Sequence, residues 1–503
     1  MVAIAASIGL LAGYNMNFKN ESKSLFKSEA FQDNISAGYE GRVEEILRFV
    51  ESTYVDEIDS EQLTLNVINR MLEDLDPHSS YITPEELSSH NERMKGSYRG
   101  IGIETLSIND SFYVTNVLVG SSAEKAGIEK TMMIRAVDGV KVSGSALSID
   151  SLSQMLKAGD KDEIVMDLST VAGEEVQTTV AITDVSVPSA DLAYLIRDDV
   201  IYLRLRRFSA NTYKQYIESL DSLMTGKESA HLILDLRDNP GGYLPEAIKV
   251  LSQLFDRKSK LLTYTKGLNR EKQEYRSTGN NFYDIRKVAV LINGNSASGS
   301  EIIAGAIQDW DRGMLIGERT YGKGLVQEVF PLRNGGALRL TVAKYFTPSG
   351  RLIQRSYDSA THAFAADSLN KKTKLLERIV PGGDGIHPDR KVVADKDCLS
   401  YAYYMDEYVL DLMHENRGLG YDADFYGSAA YQAFVQEHFD VTISSSAPCK
   451  DRFKEEVIKA HKNLTMKRVD FLKSQNEKDP VVSAALKYID NPKPTIALLP
   501  QEN

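Results

Sequence analysis

The chain has 503 residues, enough for about three domains, and its 71 acidic against 59 basic side chains leave a formal charge of −12. That balance excludes the basic footprint of a nucleic-acid binder, and a 42% hydrophobic content with 34 Gly and 14 Pro excludes disordered and fibrous classes. Only two cysteines occur, Cys398 and Cys449, which excludes a multi-disulfide scaffold and a four-thiolate zinc site.

Residues 2–18 carry no charge, and the apolar run 2–13 is shorter than the ~20 residues a membrane span needs. It suits the apolar part of an export signal whose basic start is missing; a buried first helix is the other reading. Residues 1–35 are read as export segment and tether. Val43, Ile46, Leu47 and Val50, then Leu63, Val67, Ile68 and Met71, recur at helical spacing, and Pro77 breaks the pattern in DLDPHSSYIT. Thr83-Pro84-Glu85-Glu86 starts another helix with a Thr cap and an N1 proline, closing an N-terminal helical part over 36–95.

Over 96–184 the texture changes to short strands, at 112–119 and 163–168, around one amphipathic helix at 148–157. Over 185–360 strands at 202–208, 232–236, 288–292, 314–317, 325–330 and 337–343 are interleaved with helices at 211–224, 245–255 and 300–310. Apolar strands separated by helices predict an α/β core with a central sheet flanked by helices. The remainder, 361–503, is polar, rich in Lys and Tyr, and reads as a mostly helical extension. Trp310, Tyr401, Tyr403 and Tyr404 read as core residues.

Three loops carry candidate chemistry. In VAVLINGNSASGSE a buried strand runs through a small-residue loop into a helix, which presents Ser298 beyond the sheet edge beside free helix N–H groups. The same Ser298-x-x-Glu301 spacing fits a capping box, so nucleophile and cap are both open readings. The eight histidines are scattered, with no nucleophile elbow and no zinc-helix spacing among them. The base left for a serine is a lysine whose pKa has fallen below ~10.4. Lys323 in GERTYGKGLVQ is the candidate, with a solvated loop lysine as the alternative. The Gly317-x-x-x-x-Gly322-Lys323 spacing imitates a phosphate loop, but Gly324 replaces the required hydroxyl and a strand follows where a helix should begin. In LRDNPGG a glycine turn after a buried strand can aim N–H groups at a reacting carbonyl, or serve only as a turn.

Taken together, SASGSE, YGKGLVQ, LRDNPGG and KYFTPSGR, with DPHSSYIT upstream, resemble the C-terminal processing peptidases, or tail-specific proteases. Ser298 and Lys323 lie 25 residues apart, with Gln327 four beyond the lysine. The resemblance implies Ser298 as nucleophile, Lys323 as general base and Gln327 as the group orienting its amine. It implies an oxyanion hole from the N–H of Gly299 and one N–H of Gly241 or Gly242. It also implies a PDZ-like insert over 96–184 whose carboxylate loop is Arg99, Gly100, Ile101, Gly102 and Ile103. Within that insert Lys130-Thr131-Met132 replaces the usual Gly-Asp pair, which puts the local turn in question. The implied function is a serine endopeptidase of the cell envelope, periplasmic or otherwise extracytoplasmic, that needs no cofactor or metal. Its expected partners are proteins or peptides with apolar C-termini, an envelope adaptor protein and, through the N-terminal segment, the membrane. A catalytically inactive scaffold that binds peptide C-termini is the alternative. In an oxidising compartment a Cys398–Cys449 bridge would contribute ~4 kcal/mol in the chain-entropy model, against two free thiols.

Overall fold

The structure, a computed structural model, describes residues 39–157, 159, 161–355, 370–393, 404–415, 428–439 and 450–491. The export segment, Tyr401, Tyr403, Cys398 and Cys449 lie outside the described residues. The described residues up to Tyr81 and those from Ile82 onward form two compact units. In the first, the helical pattern divides into α1 (Tyr39–Thr53) and α2 (Ser60–Glu73), with Asp59 capping α2 by accepting the Gln62 N–H at 2.9 Å. Beyond α2 the Asp76 carboxylate accepts the N–H groups of His78 (2.8 Å) and Ser79 (2.9 Å), which organises the turn at Pro77.

The second unit opens with α3 (Pro84–Lys95), started by the Thr83–Glu86 capping box and closed by Gly96 at φ 75°. Next, β1 (Ser97–Gly100) pairs antiparallel with β8 (Thr183–Ser186), and these two strands bracket a β-rich insert. Its antiparallel sheet runs β2 (Ile103–Ile108), β3 (Ser111–Val117), β4 (Met133–Val137), β6 (Glu163–Ser169) and β7 (Glu175–Ala181), with β5 (Val140–Lys141) added on β4. The insert also contains α4 (Ser122–Lys125) and α5 (Ile149–Lys157). Leu152 and Leu156 of α5 pack with Phe112, Val114, Ile134, Ile164 and Met166 in a core of the insert's own.

The central sheet is ordered β9 (Ala190–Arg197), β10 (Val200–Leu205), β11 (Ser229–Asp235), β14 (Asp284–Ile292), β15 (Met314–Gly317) and β18 (Arg390–Lys391). All strands after β9 are parallel, and β9 is antiparallel to β10. The crossovers α6 (Thr212–Met224), α7 (Leu244–Ser252) and α8 (Gly299–Asp309) pack together on one face, because right-handed crossovers advancing in one direction fall on the same side. Between α7 and β14 the hairpin β12 (Leu261–Gly267) and β13 (Arg270–Arg276) leaves to join a second sheet with β16 (Leu325–Pro331) and β17 (Ala337–Phe346).

The extension comprises α9 (Met405–Glu415), α10 (Ser428–Phe439), α11 (Lys450–Thr465), α12 (Arg468–Asn476) and α13 (Pro480–Asp490). It is part of two cores. Val481, Val482, Ala485, Tyr488 and Ile489 of α13 cover the second face of the central sheet, on Val200, Tyr202, Ile233, Ala289 and Leu291. Tyr408, Val409, Tyr431, Val435, Phe453 and Val457 of α9–α11 pack against Ile108 and Tyr113 of the insert.

Candidate active site

In the parallel sheet β11 and β14 are neighbours, with Asp235 level with Leu291, so the loops leaving their carboxyl ends converge. The β14 loop leads into α8 through Ser298, which is half-buried at φ 53°, ψ −111°. That positive φ is costly for a side-chain-bearing residue and persists only where the surroundings enforce it. The enforcing contacts are visible. Ala297 N–H (3.0 Å) and Ser300 hydroxyl (2.9 Å) both donate to the Asn239 carbonyl, and buried Ser296 donates to the Leu236 carbonyl (2.8 Å).

The β11 loop supplies Asp235 to Gly242. A Cβ on Gly241 would stand 2.7 Å from Ser298 Cβ and 2.9 Å from the Gly299 nitrogen, so only glycine permits this approach. The Gly241 N–H is already committed to Asn239 Oδ1 at 2.9 Å. Phe208 donates to the Gly241 carbonyl (2.9 Å) and accepts from Tyr243 N–H (2.7 Å), which turns the Gly242 N–H to the opposite side. Gly242 is at φ 140°, where a Cβ would lie 2.1 Å from the Phe208 carbonyl oxygen. Of the two glycines left open by the sequence, Gly241 therefore has a spent donor.

Lys323 follows β15 on the loop into β16 and is half-buried. Its backbone is tied to Ser298 through Glu301, which is fully buried. The Glu301 carboxylate accepts the Ser298 N–H (2.9 Å), the Lys323 N–H (2.9 Å), the Gly322 N–H (2.7 Å) and the Thr320 hydroxyl (2.6 Å). Burial pushes the carboxyl above its usual pKa, while the four donors hold it in the opposite direction. The buried Tyr345 hydroxyl touches the carbonyls of both Ser298 (3.2 Å) and Lys323. Burial and the neighbouring Glu301 keep that phenol well above its usual pKa, so it stays a donor. Glu301 thus returns to the Ser298 N–H, as the capping-box spacing expects. The spacing carries no sign that the same carboxylate reaches the lysine loop, and nothing in KYFTPSGR marks Tyr345 as an anchor of both loops.

Gln327 lies on β16, half-buried, and its Nε2 donates to Thr341 Oγ1 at 3.3 Å. Arg351 of KYFTPSGR is fully buried and donates to Asp309 (2.5 Å) and Gln308 (3.0 Å), which anchors the C-terminal end of α8. Trp310 packs at the edge of the main core and donates to the Leu261 carbonyl at 2.8 Å.

Of the expected loop Arg99–Ile103, Arg99 and Gly100 lie in β1, paired with Asp184 and Thr183, so that only Ile101 and Gly102 connect β1 to β2. The Ile101 carbonyl accepts the Ala123 N–H (3.0 Å), and Gly102 sits at φ 88°, where a Cβ would be 2.3 Å from Ser121 Cβ. Ile103 opens β2, an edge strand whose sole partner in its sheet among the described residues is β3. Arg99 turns away from the loop, donating to the Lys161 carbonyl at 2.8 Å. Among the described residues no cluster of three or more His, Cys, Asp or Glu could hold a metal, and no helix is long and apolar enough to cross a membrane.

Residues 199–358 match the model of peptidase family S41. The carboxy-terminal-processing protease of Bartonella bacilliformis is 34% identical over 316 residues, 62% of this chain and 72% of that protein. A probable CtpA-like serine protease of Staphylococcus aureus is 30% identical over 314 residues, 62% of either chain. Among solved structures, the photosystem II D1 C-terminal processing protease is 26% identical, with 71% of this chain and 88% of that one covered at a TM-score of 0.37. With more than two thirds of the Bartonella protease covered at this identity, the chain belongs to the carboxy-terminal-processing proteases of peptidase family S41 and is a serine-type peptidase.

Proposed function

We propose that the chain is an endopeptidase that works through a Ser298–Lys323 dyad. The observation that carries this reading is the shared anchoring of the two residues, whose N–H groups meet on one buried carboxylate, Glu301, and whose carbonyls meet on one hydroxyl, Tyr345. In the mechanism the neutral Lys323 amine takes the Ser298 Oγ proton as Oγ attacks the scissile carbonyl. The negative charge that develops on the carbonyl oxygen would be met by the N–H groups of Gly299 and Gly242, Gly241 being committed to Asn239. The Lys323 ammonium returns the proton to the leaving amine, and the acyl group stays on Ser298. A water molecule, deprotonated by the same amine, then releases it. Thr341 holds the Gln327 amide nitrogen, which leaves the amide oxygen as the atom that would orient the Lys323 amine.

The finer reading follows the same logic. Residues 96–184 act as a PDZ-like domain, with 36–95 and 185–360 forming the peptidase and 361–503 the extension. A peptide tail adds to the open edge of β2, and its carboxylate meets the Gly100–Ile103 loop. The substrates are envelope proteins with apolar C-termini, met outside the cytoplasm, where an adaptor and the N-terminal segment bring the enzyme to them. Labelling with a fluorophosphonate tests the dyad. Wild-type protein should be acylated and should cleave an apolar-tailed substrate, whereas Ser298→Ala and Lys323→Ala should lose at least about 10³-fold in rate while remaining folded. Wild-type protein that binds tails but takes no label would identify a binding scaffold instead.

A further inference from the structure

One ionic contact joins the oxyanion loop to the far end of the chain. Arg237 of LRDNPGG grips Asp235 through Nε (3.0 Å) and Nη2 (2.6 Å), and its remaining nitrogen, Nη1, donates to Asp479 Oδ2 at 2.6 Å. Asp235 is buried and Asp479 largely so, which shields the cluster from solvent screening. Burial alone would lower the Arg237 pKa, but Asp235 and then Asp479 hold it raised, so the guanidinium stays charged. Asp479 Oδ1 is used differently, capping α13 by accepting the Val481 N–H at 2.7 Å.

Four residues separate Arg237 from Gly242, and the intervening chain has little freedom. Asp238 sits at φ 58° and accepts from Asn293 (2.9 Å) and Asn295 (2.8 Å) of the serine loop, and Asn239 is pinned to the Leu205 carbonyl (2.9 Å). A displacement of Arg237 is therefore passed on to the glycines. We infer that Asp479 of the C-terminal extension is a positioning residue for catalysis, seating the LRDNPGG loop through Arg237 so that the Gly242 N–H faces the reacting carbonyl. This inference rests on the Ser298 acylation mechanism above. Docking of α13 thereby becomes a condition of full activity as well as of stability.

The discriminating pair is Asp479→Asn and Lys287→Ala. Asparagine caps a helix as well as aspartate does but removes the charge facing Arg237. Lys287 holds the end of the same helix through the Ile489 carbonyl (2.9 Å) and does not touch the oxyanion loop. Asp479→Asn is expected to lower kcat and the fluorophosphonate labelling rate by about 10- to 100-fold with KM within about 3-fold. Lys287→Ala is expected to lower Tm at least as much while keeping kcat within about 2-fold. Wild-type kcat in Asp479→Asn, or a loss of kcat in Lys287→Ala that matches it, would overturn the assignment. Absence of Ser298-dependent labelling in wild-type protein would instead overturn the acylation mechanism on which it rests.

Discussion

Glu301 shows how one side chain converts local sequence into a site. As a cap it would contribute about 1 kcal/mol, yet it is fully buried and accepts four hydrogen bonds from residues on two different loops. Glu301→Gln keeps the volume but turns an NH2 group toward donors, leaving at least one buried N–H or O–H unpaired. Urea unfolding should show a loss of about 2–4 kcal/mol, and labelling of Ser298 should slow, because the backbones of Ser298 and Lys323 lose their common anchor. Ser298, Lys323 and the PGG turn were legible as residue types on the right kinds of loop. The choice between Gly241 and Gly242 was not, because it depends on where the Asn239 side chain points.

At the scale of elements, the turn Lys130-Thr131-Met132 that departs from the family pattern is where the extension grips the insert. Thr131 adopts φ 69°, a conformation that would suit the usual glycine, and its carbonyl faces His414 Nε2 at 2.7 Å. Lys130 Nζ donates to the carbonyls of Asn463 (2.8 Å) and Met466 (3.1 Å) at the end of α11. Burial lowers the His414 pKa, with the Thr131 carbonyl acting in the opposite direction, so the folded protein favours the neutral ring. Stability from burying the neutral ring is complete above about pH 6.5 and declines as pH falls from there to the depressed folded value, since the unfolded chain takes up the proton first. His414→Gln keeps a donor to Thr131 but cannot titrate. The pH 8 to pH 5.5 change in unfolding free energy should therefore be smaller in the variant, and an identical change in both would refute the assignment.

For the whole molecule, the second face of the central sheet decides whether the peptidase core stands alone. Strands β10, β11 and β14 are apolar at both parities: Leu232 and Leu234 face α6–α8, while Ile233 faces α13. Such strands require cover on both faces. Ile489 is buried in that cover, and Ile489→Ala should cost about 2–4 kcal/mol by thermal or urea unfolding of the entire second unit. The sequence by itself determined the strand–helix alternation, the serine and lysine loops and the family, because those depend on residue types at short spacing. It also predicted a central sheet flanked by helices, from apolar strands such as VAVLI. Which segment covers the second face, that the Gly241 N–H is spent on Asn239, and that Asp479 reaches Arg237 were decided only by tertiary structure. Each depends on contacts between residues far apart in the chain, whose pairing follows from packing and leaves no mark in local periodicity.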